Sequence, residues 1–280
     1  MKVIEFDTIV NEVKSLCMKA NYELPDDVKK AFDEAIKNEE SPLGKSILQQ
    51  CVKNAGIAEN EKVAICQDTG FSVFFVKYGD IGINGGNIYD AINEGVRQGY
   101  QEGYLRKSIL KDPLLERVNT KDNTPAIVHL ELVEDEILDI TLAPKGGGSE
   151  NMSKIAMMKP SDGVEGVVKF VVESVAGAKG NPCPPTVVGV GIGGTFEKVA
   201  FLAKKALLRP IGEHNPDPKY AELEKRMLTE INNSGVGPQG LGGRTTSFWV
   251  NIETFPCHIA SMPVAVNLNC HASRHAHVRL

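Results

Sequence analysis

Ile65-Cys66-Gln67-Asp68-Thr69-Gly70 lies between two apolar runs of the chain, Lys62–Ile65 and Phe71–Tyr78. Apolar runs that flank turn-forming residues predict that this stretch is the tight connection of two strands. Gly70 lets the backbone reverse, and a thiol, an amide and a carboxylate precede it on the turn. Polar side chains on a loop held by two strands are well placed for chemistry, although Asp68 could equally form an Asx-turn with its own backbone.

The overall composition excludes several classes of protein. The 280 residues are 42% hydrophobic and 24% charged, which is ordinary for a globular chain with ample material for a core. A net charge of -5 gives no basic footprint for nucleic acid. No run of apolar residues is long enough to span a membrane, and the acidic start, Met1–Asp7, does not resemble a signal peptide. We therefore expect a cytoplasmic protein that binds neither nucleic acid nor membrane.

The periodicity of apolar residues predicts a mixture of helices and strands. Predicted helices cover residues 7–20, 25–37, 42–57, 88–105, 164–178, 196–208 and 216–233. Predicted strands cover residues 71–78, 126–133, 137–142, 186–190, 245–252 and 264–268, of which the second and third form a hairpin. No repeat or linker interrupts the chain. We predict an α+β fold, in which a helical N-terminal layer packs with a mostly antiparallel sheet in a single domain, residues 1–280.

The six cysteines fall into groups with different predicted roles. A disulfide framework is not expected in a reducing compartment. Cys17 and Cys51 lie within helical patterns, so we predict that they pack as small hydrophobic side chains. A further three are flanked by turn formers and polar residues, which is unusual for packing cysteines: Cys66, Cys183 and Cys270. Cys257 lies between Pro256 and His258 and fits either role.

Two other loops carry features of a binding site. A glycine run with a neighbouring cation, Lys145–Asn151, precedes a helical segment, and its exposed N–H groups can bind anions. The simpler interpretation is a flexible loop. Asn181-Pro182-Cys183-Pro184-Pro185 holds its thiol on a stiff, extended backbone. Such rigidity favours a metal ligand, because a preorganised site loses less entropy on binding.

Gly189-Val190-Gly191-Ile192-Gly193-Gly194 matches the G-x-G-x-x-G pattern after a predicted strand and before a predicted helix. The pattern is typical of dinucleotide binding, but the later strands do not resemble a second βαβ half. Close packing of a strand against a helix explains the glycines more simply. A dinucleotide-dependent oxidoreductase is therefore an alternative function of a different class.

Three thiols on separate loops suit an iron–sulfur cluster, in which one iron is left without a cysteine ligand. An iron with an open position can act as a Lewis acid on a substrate oxygen. A zinc site formed by Cys270, His271, His275 and His277 is a weaker alternative, because no CxxC pair is present. We expect these histidines to be surface or interface residues. A non-catalytic iron–sulfur scaffold or assembly factor is a further alternative.

Four ordered motifs carry a resemblance that covers essentially the whole chain. They are Cys66–Gly70, Lys145–Asn151, Asn181–Pro185 with the glycine run after it, and Asn269–His271. In these motifs the sequence resembles the class I, iron–sulfur fumarate hydratase family, specifically the α subunit of its two-subunit form. The related L-tartrate dehydratase α subunit is similar too.

This resemblance implies a cofactor and a set of site residues. The implied cofactor is a [4Fe–4S] cluster with one iron not ligated by cysteine, and its implied ligands are Cys66, Cys183 and Cys270. The residues implied at the substrate are Gln67, Asp68, Arg106, Gly146, Gly147, Gly148 and His258. An arginine can grip a carboxylate, and glycine N–H groups can donate hydrogen bonds to carboxylate oxygens. Asp68 and His258 can pass a proton to the departing hydroxyl.

The implied reaction is the reversible hydration of fumarate to (S)-malate, with L-tartrate as the alternative substrate. Family members carry the general base and further carboxylate-binding cations in a separate C-terminal domain, and this chain ends ten residues after Cys270. We therefore expect the chain to form half of an active site and a β subunit to supply the rest. A higher oligomer, such as a dimer of αβ pairs, is expected.

Overall fold

The computed structural model describes residues 2–280. Its helices are α1 (Phe6–Tyr22), α2 (Asp26–Asn38), α3 (Pro42–Glu61), α4 (Ile88–Glu102), α5 (Gly147–Glu150), α6 (Gly163–Ala178), α7 (Phe196–Ala206) and α8 (Pro218–Asn232). Its strands are β1 (Lys2–Glu5), β2 (Phe71–Tyr78), β3 (Ile81–Asn84), β4 (Ile127–Leu132), β5 (Leu138–Lys145), β6 (Lys154–Met158), β7 (Thr186–Gly193), β8 (Ser247–Phe255), β9 (Met262–Asn269) and β10 (Ala276–Arg279). No helix in this described part is both long and apolar enough to cross a membrane.

The chain forms two compact units, and each is built from separate chain segments. The first unit contains the segment that ends at Leu24, Asn54–Gly147 and Arg274–Leu280. The second unit contains Pro25–Lys53 and Gly148–Ser273. The single domain predicted for residues 1–280 stays a prediction.

The first unit packs helices α1 and α4 with a four-stranded sheet of order β10-β5-β2-β4. Strand β5 alternates buried and half-buried residues, as a strand with one face on a core requires, and Leu138, Ile140 and Leu142 are fully buried. The two helices approach closely because α4 carries glycine at the contact. A Cβ on Gly99 would lie 2.8 Å from the Cβ of Cys17. Cys17 is fully buried there, as predicted, and its burial raises the pKa of its thiol.

The second unit is a four-stranded sheet of order β6-β9-β7-β8 with helices on it. Helices α6 and α8 share an apolar core with these strands, which includes Val171, Val190 and Ile252. Helix α7 packs on glycines of the G-x-G-x-x-G motif. A Cβ on Gly189 would lie 2.0 Å from the carbonyl oxygen of Ala203 in α7. These glycines therefore serve close packing of a strand against a helix, and most of the motif lies inside β7 rather than in a turn.

Several predicted elements differ from the observed ones. The predicted hairpin of residues 126–133 and 137–142 is wrong, because β2 lies between β4 and β5 and pairs with both. The sheets are mixed, since β1–β3, β2–β4 and β7–β8 are parallel pairs. Antiparallel pairs are in the majority, as predicted: β10–β5, β2–β5, β6–β9 and β7–β9. The predicted N-terminal helical layer is also wrong, because α1 belongs to the first unit and α2 to the second.

Helix α2 ends at a buried carboxylate that fixes the following loop within the second unit. The Glu39 side chain accepts hydrogen bonds from the backbone N–H groups of Glu40 and Ser41, each at 3.0 Å. It also accepts bonds from the N–H groups of Arg244 and Thr245, each at 2.9 Å. Burial raises the pKa of Glu39, but the N–H donors of Arg244, Ser41 and Thr245 together bring it below its ordinary value.

We expect Glu39→Gln to destabilise the protein by about 2–4 kcal/mol near neutral pH, because a neutral amide cannot replace a carboxylate that accepts four N–H bonds. A lowered folded pKa means that this stability is present above the unfolded pKa of 4.5 and is lost as pH falls through the folded value. Urea unfolding at a series of pH values from 7 down to 3 measures the effect, and the difference between variant and wild type should shrink progressively below pH 4.5.

The neighbouring Glu40 provides the matched control for this substitution. Its side chain is 72% exposed and pairs with the side chain of Arg244. Because an exposed ion pair contributes little, Glu40→Gln should change stability by about 0.5 kcal/mol or less. Equal effects of the two substitutions, or a Glu39→Gln effect that does not vary with pH, would contradict this account.

Candidate functional site

The stretch Ile65–Gly70 joins helix α3 to strand β2 in the first unit. The prediction that it connects two strands is wrong, because the segment after α3 bonds to helical residues instead of a neighbouring strand. The Ile65 N–H donates to the carbonyl oxygen of Asn21 at 2.9 Å, and the Asn54 side chain donates to the carbonyl oxygen of Ile65 at 2.8 Å. The turn itself is present as predicted, with Gly70 at a φ of 81°.

Buried side chains hold the backbone of this turn from beneath. The Tyr100 hydroxyl lies 2.9 Å from the carbonyl oxygen of Thr69 and 3.1 Å from that of Gly70, and it can donate to either. The Asn123 side-chain amide donates to the same Gly70 oxygen at 3.2 Å. Tyr100 and Asn123 are both fully buried. Because these anchors lie in the core, the turn is fixed before any ligand binds.

Thr69 attaches a second loop to the turn. Its hydroxyl accepts a hydrogen bond from the backbone N–H of Arg106 at 3.0 Å and lies 3.1 Å from the Arg106 carbonyl oxygen, to which it can donate. Thr69 is buried, whereas Arg106 is exposed. The backbone of Arg106 is therefore fixed beside the turn while its guanidinium group is open to solvent. This is a suitable arrangement for a cation that grips a carboxylate.

Asp68 connects the turn with the glycine run of the same unit. Its carboxylate accepts hydrogen bonds from the Gly70 N–H at 3.0 Å and the Gly147 N–H at 2.7 Å. A Cβ on Gly146 would lie 3.3 Å from Asp68 Oδ2, so a larger residue there would crowd the carboxylate. The Gly147 amide is thus occupied by Asp68. The predicted helix after the glycine run is only the single turn α5.

The thiol of Cys66 lies on the half-buried side of this turn. Its Sγ accepts a hydrogen bond from the Asp68 N–H at 3.4 Å and lies 3.2 Å from Gln67 Oε1. Gln67 is exposed. The backbone of the turn thus contacts the sulfur directly and fixes its position.

Cys183 and Cys270 lie close together in the second unit. The backbone N–H of His271, which follows Cys270, donates to the carbonyl oxygen of Cys183 at 3.0 Å. Cys183 has a φ of 53° between two prolines, a conformation that few residues other than glycine adopt. Burial, and then the neighbouring thiols of Cys183 and Cys270, raises the pKa of Cys51 to about 11. This raised pKa disfavours the thiolate form of Cys51.

A second glycine-rich loop supports the Cys183 loop. The Gln239 backbone N–H and its side-chain amide both donate to the carbonyl oxygen of Pro184, at 2.8 and 2.9 Å. The Nδ1 atom of His271 lies 3.1 Å from the Gln239 amide nitrogen. His271 is half-buried, and its predicted surface or interface position stays a prediction. His277 is exposed and pairs with Asp139 at 3.1 Å.

His258 lies on an exposed segment between β8 and β9 in the second unit. It lines an open cavity of about 390 Å³ together with Met157, Phe196, Phe255 and Cys257. Its Nδ1 accepts a hydrogen bond from the Ala260 N–H at 3.2 Å. Gly148, another predicted site residue, is also exposed, and a Cβ on it would lie 3.3 Å from the carbonyl oxygen of Asn181.

The cysteine thiols have the surroundings that ligands of an iron–sulfur cluster require. Within residues 2–280, no three His, Cys, Asp or Glu side chains are grouped to hold a single metal ion. A [4Fe–4S] cluster needs a different arrangement, because each cysteine binds a separate iron and the sulfurs need not converge on one point. Thiols on rigid loops, a backbone N–H on Cys66 Sγ and the closeness of Cys183 to Cys270 fit such a cluster.

Sequence reasoning missed the side chains that position the turn. In the sequence, Tyr100 and Asn123 look like ordinary helix and loop residues. Their hydrogen bonds join segments 30 and 53 positions apart, so no local pattern reveals them. Gln239 was also missed, because nothing in the sequence pairs residues 180–185 with residues 237–240. Only the density of glycines around Gln239 indicated an unusual backbone there.

Comparisons with known proteins match this chain along most of its length. It matches the family model for fumarate hydratase (Fumerase) over residues 10–279. The putative L(+)-tartrate dehydratase subunit alpha of Methanocaldococcus jannaschii is 44% identical over 280 residues, which cover 97% of each protein. The L(+)-tartrate dehydratase subunit alpha of Escherichia coli K12 is 36% identical over 255 residues, which cover 90% of this chain and 84% of that protein.

Proposed function

The chain belongs to the fumarate hydratase (Fumerase) family, and from this premise we propose that it is the α subunit of an iron–sulfur hydro-lyase that interconverts fumarate and (S)-malate. The observation that supports this most strongly is the fixed turn around Asp68. Its carboxylate lies against the glycine run, and buried side chains hold the backbone below it. A hydro-lyase needs such a rigid acid–base group beside an anion-binding loop.

We assign the cofactor and its ligands on the same basis. Cys66, Cys183 and Cys270 would hold a [4Fe–4S] cluster with one iron not ligated by cysteine. When bound, this cluster supplies a Lewis acid at that iron, which lowers the barrier to loss of the substrate hydroxyl. No disulfide joins the cysteines of residues 2–280, and soft thiolates are the ligands that iron–sulfur clusters select.

The remaining residues would bind the dicarboxylate and move its protons. Arg106 would grip one carboxylate in bidentate fashion, with Gln67 and the amides of Gly146 and Gly148 beside it. Asp68 would hold the proton that is passed to the departing hydroxyl, and the Gly70 and Gly147 N–H groups keep its carboxylate in place. Gly147 therefore acts through Asp68. His258 is the second candidate for this transfer.

L-tartrate is the second candidate substrate, because the relatives from Methanocaldococcus jannaschii and Escherichia coli are named for it. Tartrate differs from malate by one hydroxyl, and a site that hydrogen-bonds an added hydroxyl can discriminate strongly. The deciding experiment is kcat/KM for malate, fumarate and L-tartrate, measured without oxygen on the αβ complex. A preference for malate and fumarate supports the main proposal. A preference for tartrate replaces it with the second candidate.

We propose that a β subunit completes the active site, because the chain matches relatives that are named α subunits over 97% and 84% of their lengths. Its docking surface in the second unit would be the apolar surface around the His258 cavity, defined by Met157, Phe196, Phe255 and Ile259. These four side chains are between 50% and 92% exposed. Exposed apolar groups of this size, grouped at a cavity, are typical of an interface. A dimer of αβ pairs and a cytoplasmic, reducing location complete the proposal.

We expect Phe255→Glu to weaken association with the β subunit at least about tenfold, because it replaces an apolar anchor of the contact by a charged side chain. Light scattering and titration calorimetry with the purified β subunit measure this. Leu114→Glu, which places the same charge at an exposed apolar residue of the first unit, is the control and should bind normally. Normal binding by Phe255→Glu would exclude this surface. Turnover by the chain alone at the rate of the complex would exclude the need for a partner.

A further inference from the structure

Arg274 is a buried cation beneath the site turn of the first unit. Its side chain is only 4% exposed. One guanidinium nitrogen, Nη2, donates to the carbonyl oxygen of Asp68 at 2.7 Å. The other two, Nε and Nη1, are buried and have no hydrogen-bond partner among residues 2–280. Arg274 therefore brings a charge and two unused donors to the turn that carries Cys66 and Asp68.

The buried charge of Arg274 lacks the compensation that a comparable arginine receives. Arg209 in the second unit also has two unpartnered buried nitrogens. However, it forms an ion pair with the fully buried carboxylate of Glu224, with the two atoms 2.6 Å apart. Arg274 has no such carboxylate in the described chain, since Asp68 directs its own carboxylate oxygens to Gly70 and Gly147. A buried, unpaired cation is strongly unfavourable unless an anion or further acceptors compensate it.

The thiol of Cys66 is a place where a compensating anion can lie. The Asp68 N–H donates to Cys66 Sγ at 3.4 Å, and the carbonyl oxygen of the same residue accepts the bond from Arg274. The thiol and the guanidinium group are thus joined through the backbone of a single residue. An iron–sulfur cluster held by three thiolates has a net negative charge, so it supplies the type of anion that this position requires.

We propose that Arg274 is a positioning residue that compensates the negative charge of the cluster at Cys66 and raises its reduction potential. The proposal rests on the proposed function, because it requires the cluster. A cation close to the cluster favours the reduced form, which carries one more negative charge. The same cation holds the Asp68 carbonyl, so it fixes the turn and the charge of the cluster together.

The test uses the anaerobic αβ holoenzyme and follows the cluster directly. Reductive titration monitored by electron paramagnetic resonance gives the reduction potential, and a chelator assay gives the rate of iron loss. Arg274→Gln should reduce the equilibrium constant for reduction about tenfold, which is about 59 mV for a one-electron couple. Arg274→Lys keeps the charge, so its potential should change less, although it should lose iron faster than wild type because the planar fork is gone.

Arg97→Gln is the matched control, since it removes the same charge from the same unit at a side chain that is 43% exposed. It should leave the potential unchanged, because solvent screens an exposed charge. A loaded Arg274→Gln enzyme with the wild-type potential overturns this inference, and so does a raised KM with an unchanged potential, which would assign Arg274 to the substrate. If Arg274→Gln does not fold, a rate of iron loss in Arg274→Lys as slow as that of wild type overturns it. A wild type that holds no cluster overturns the proposed function itself.

Discussion

Cys183→Ser is expected to yield a folded protein without cluster iron and without detectable hydro-lyase activity. Serine is a hard, weakly acidic ligand, and iron–sulfur clusters select soft thiolates. The loop around Cys183 is held by bonds to its backbone and to that of Pro184, so a change of the exposed thiol should leave the fold intact. Iron and sulfide analysis after anaerobic reconstitution measures the loss, and circular dichroism verifies the fold.

The same result is expected for Cys66→Ser and Cys270→Ser, and the other cysteines serve as controls. Cys51→Ser and Cys257→Ser should keep their iron. Cys51 is the stricter control, because its thiol lies near Cys183 and Cys270 but its raised pKa disfavours the thiolate. Full iron content in any of the three ligand variants would remove that residue from the ligand set. Loss of iron in Cys51→Ser would add a ligand.

Asp68→Asn should lower kcat by about 10²–10⁴-fold while the cluster remains loaded. The amide can still accept one hydrogen bond through its oxygen, so the turn keeps its support from Tyr100 and Arg274. It cannot hold or release the proton that the departing hydroxyl needs. Steady-state kinetics of the αβ complex with malate, together with iron analysis, separates a catalytic loss from a loss of cluster.

Asp122→Asn is the matched control for this change. Asp122 is another partly buried aspartate of the first unit, and it bonds to Thr124 and Arg97 away from the turn. It should lower stability slightly and leave kcat within about twofold of wild type. A less than tenfold loss in Asp68→Asn would move the proton transfer to His258 or to the β subunit.

The sequence predicts the helices well, because each has an apolar face of regular period. Helix α2 begins at Asp26 and ends at Asn38, within a residue of its prediction from Pro25 and the acidic first turn. Pairing of strands could not be predicted from such local patterns. Nothing near residues 126–142 indicates that β2, some fifty positions earlier, separates β4 from β5. The short strands β1, β3, β6 and β10 were missed because they have too few residues for a period.

Some residues of the candidate site could be predicted from the sequence, and others could not. Cys66, Asp68 and the glycine run could be identified because they are adjacent polar residues in turn-forming segments, and the contact between Asp68 and Gly147 joins two of these motifs. Tyr100, Asn123 and Arg274 could not be identified. Each acts through a hydrogen bond to a backbone carbonyl group. Every residue has such a group, so the residue type of the partner gives no sign of the contact.

Strand β10 pairs with β5 at one edge of the first unit's sheet, and this pairing has a consequence during protein synthesis. About 130 residues separate the end of β5 at Lys145 from the start of β10 at Ala276. At the usual speed of a ribosome, roughly 5–20 residues per second, that edge of β5 waits on the order of 10 s for its partner. An unpaired edge is a template for aggregation, so the nascent chain should need chaperone protection during this interval.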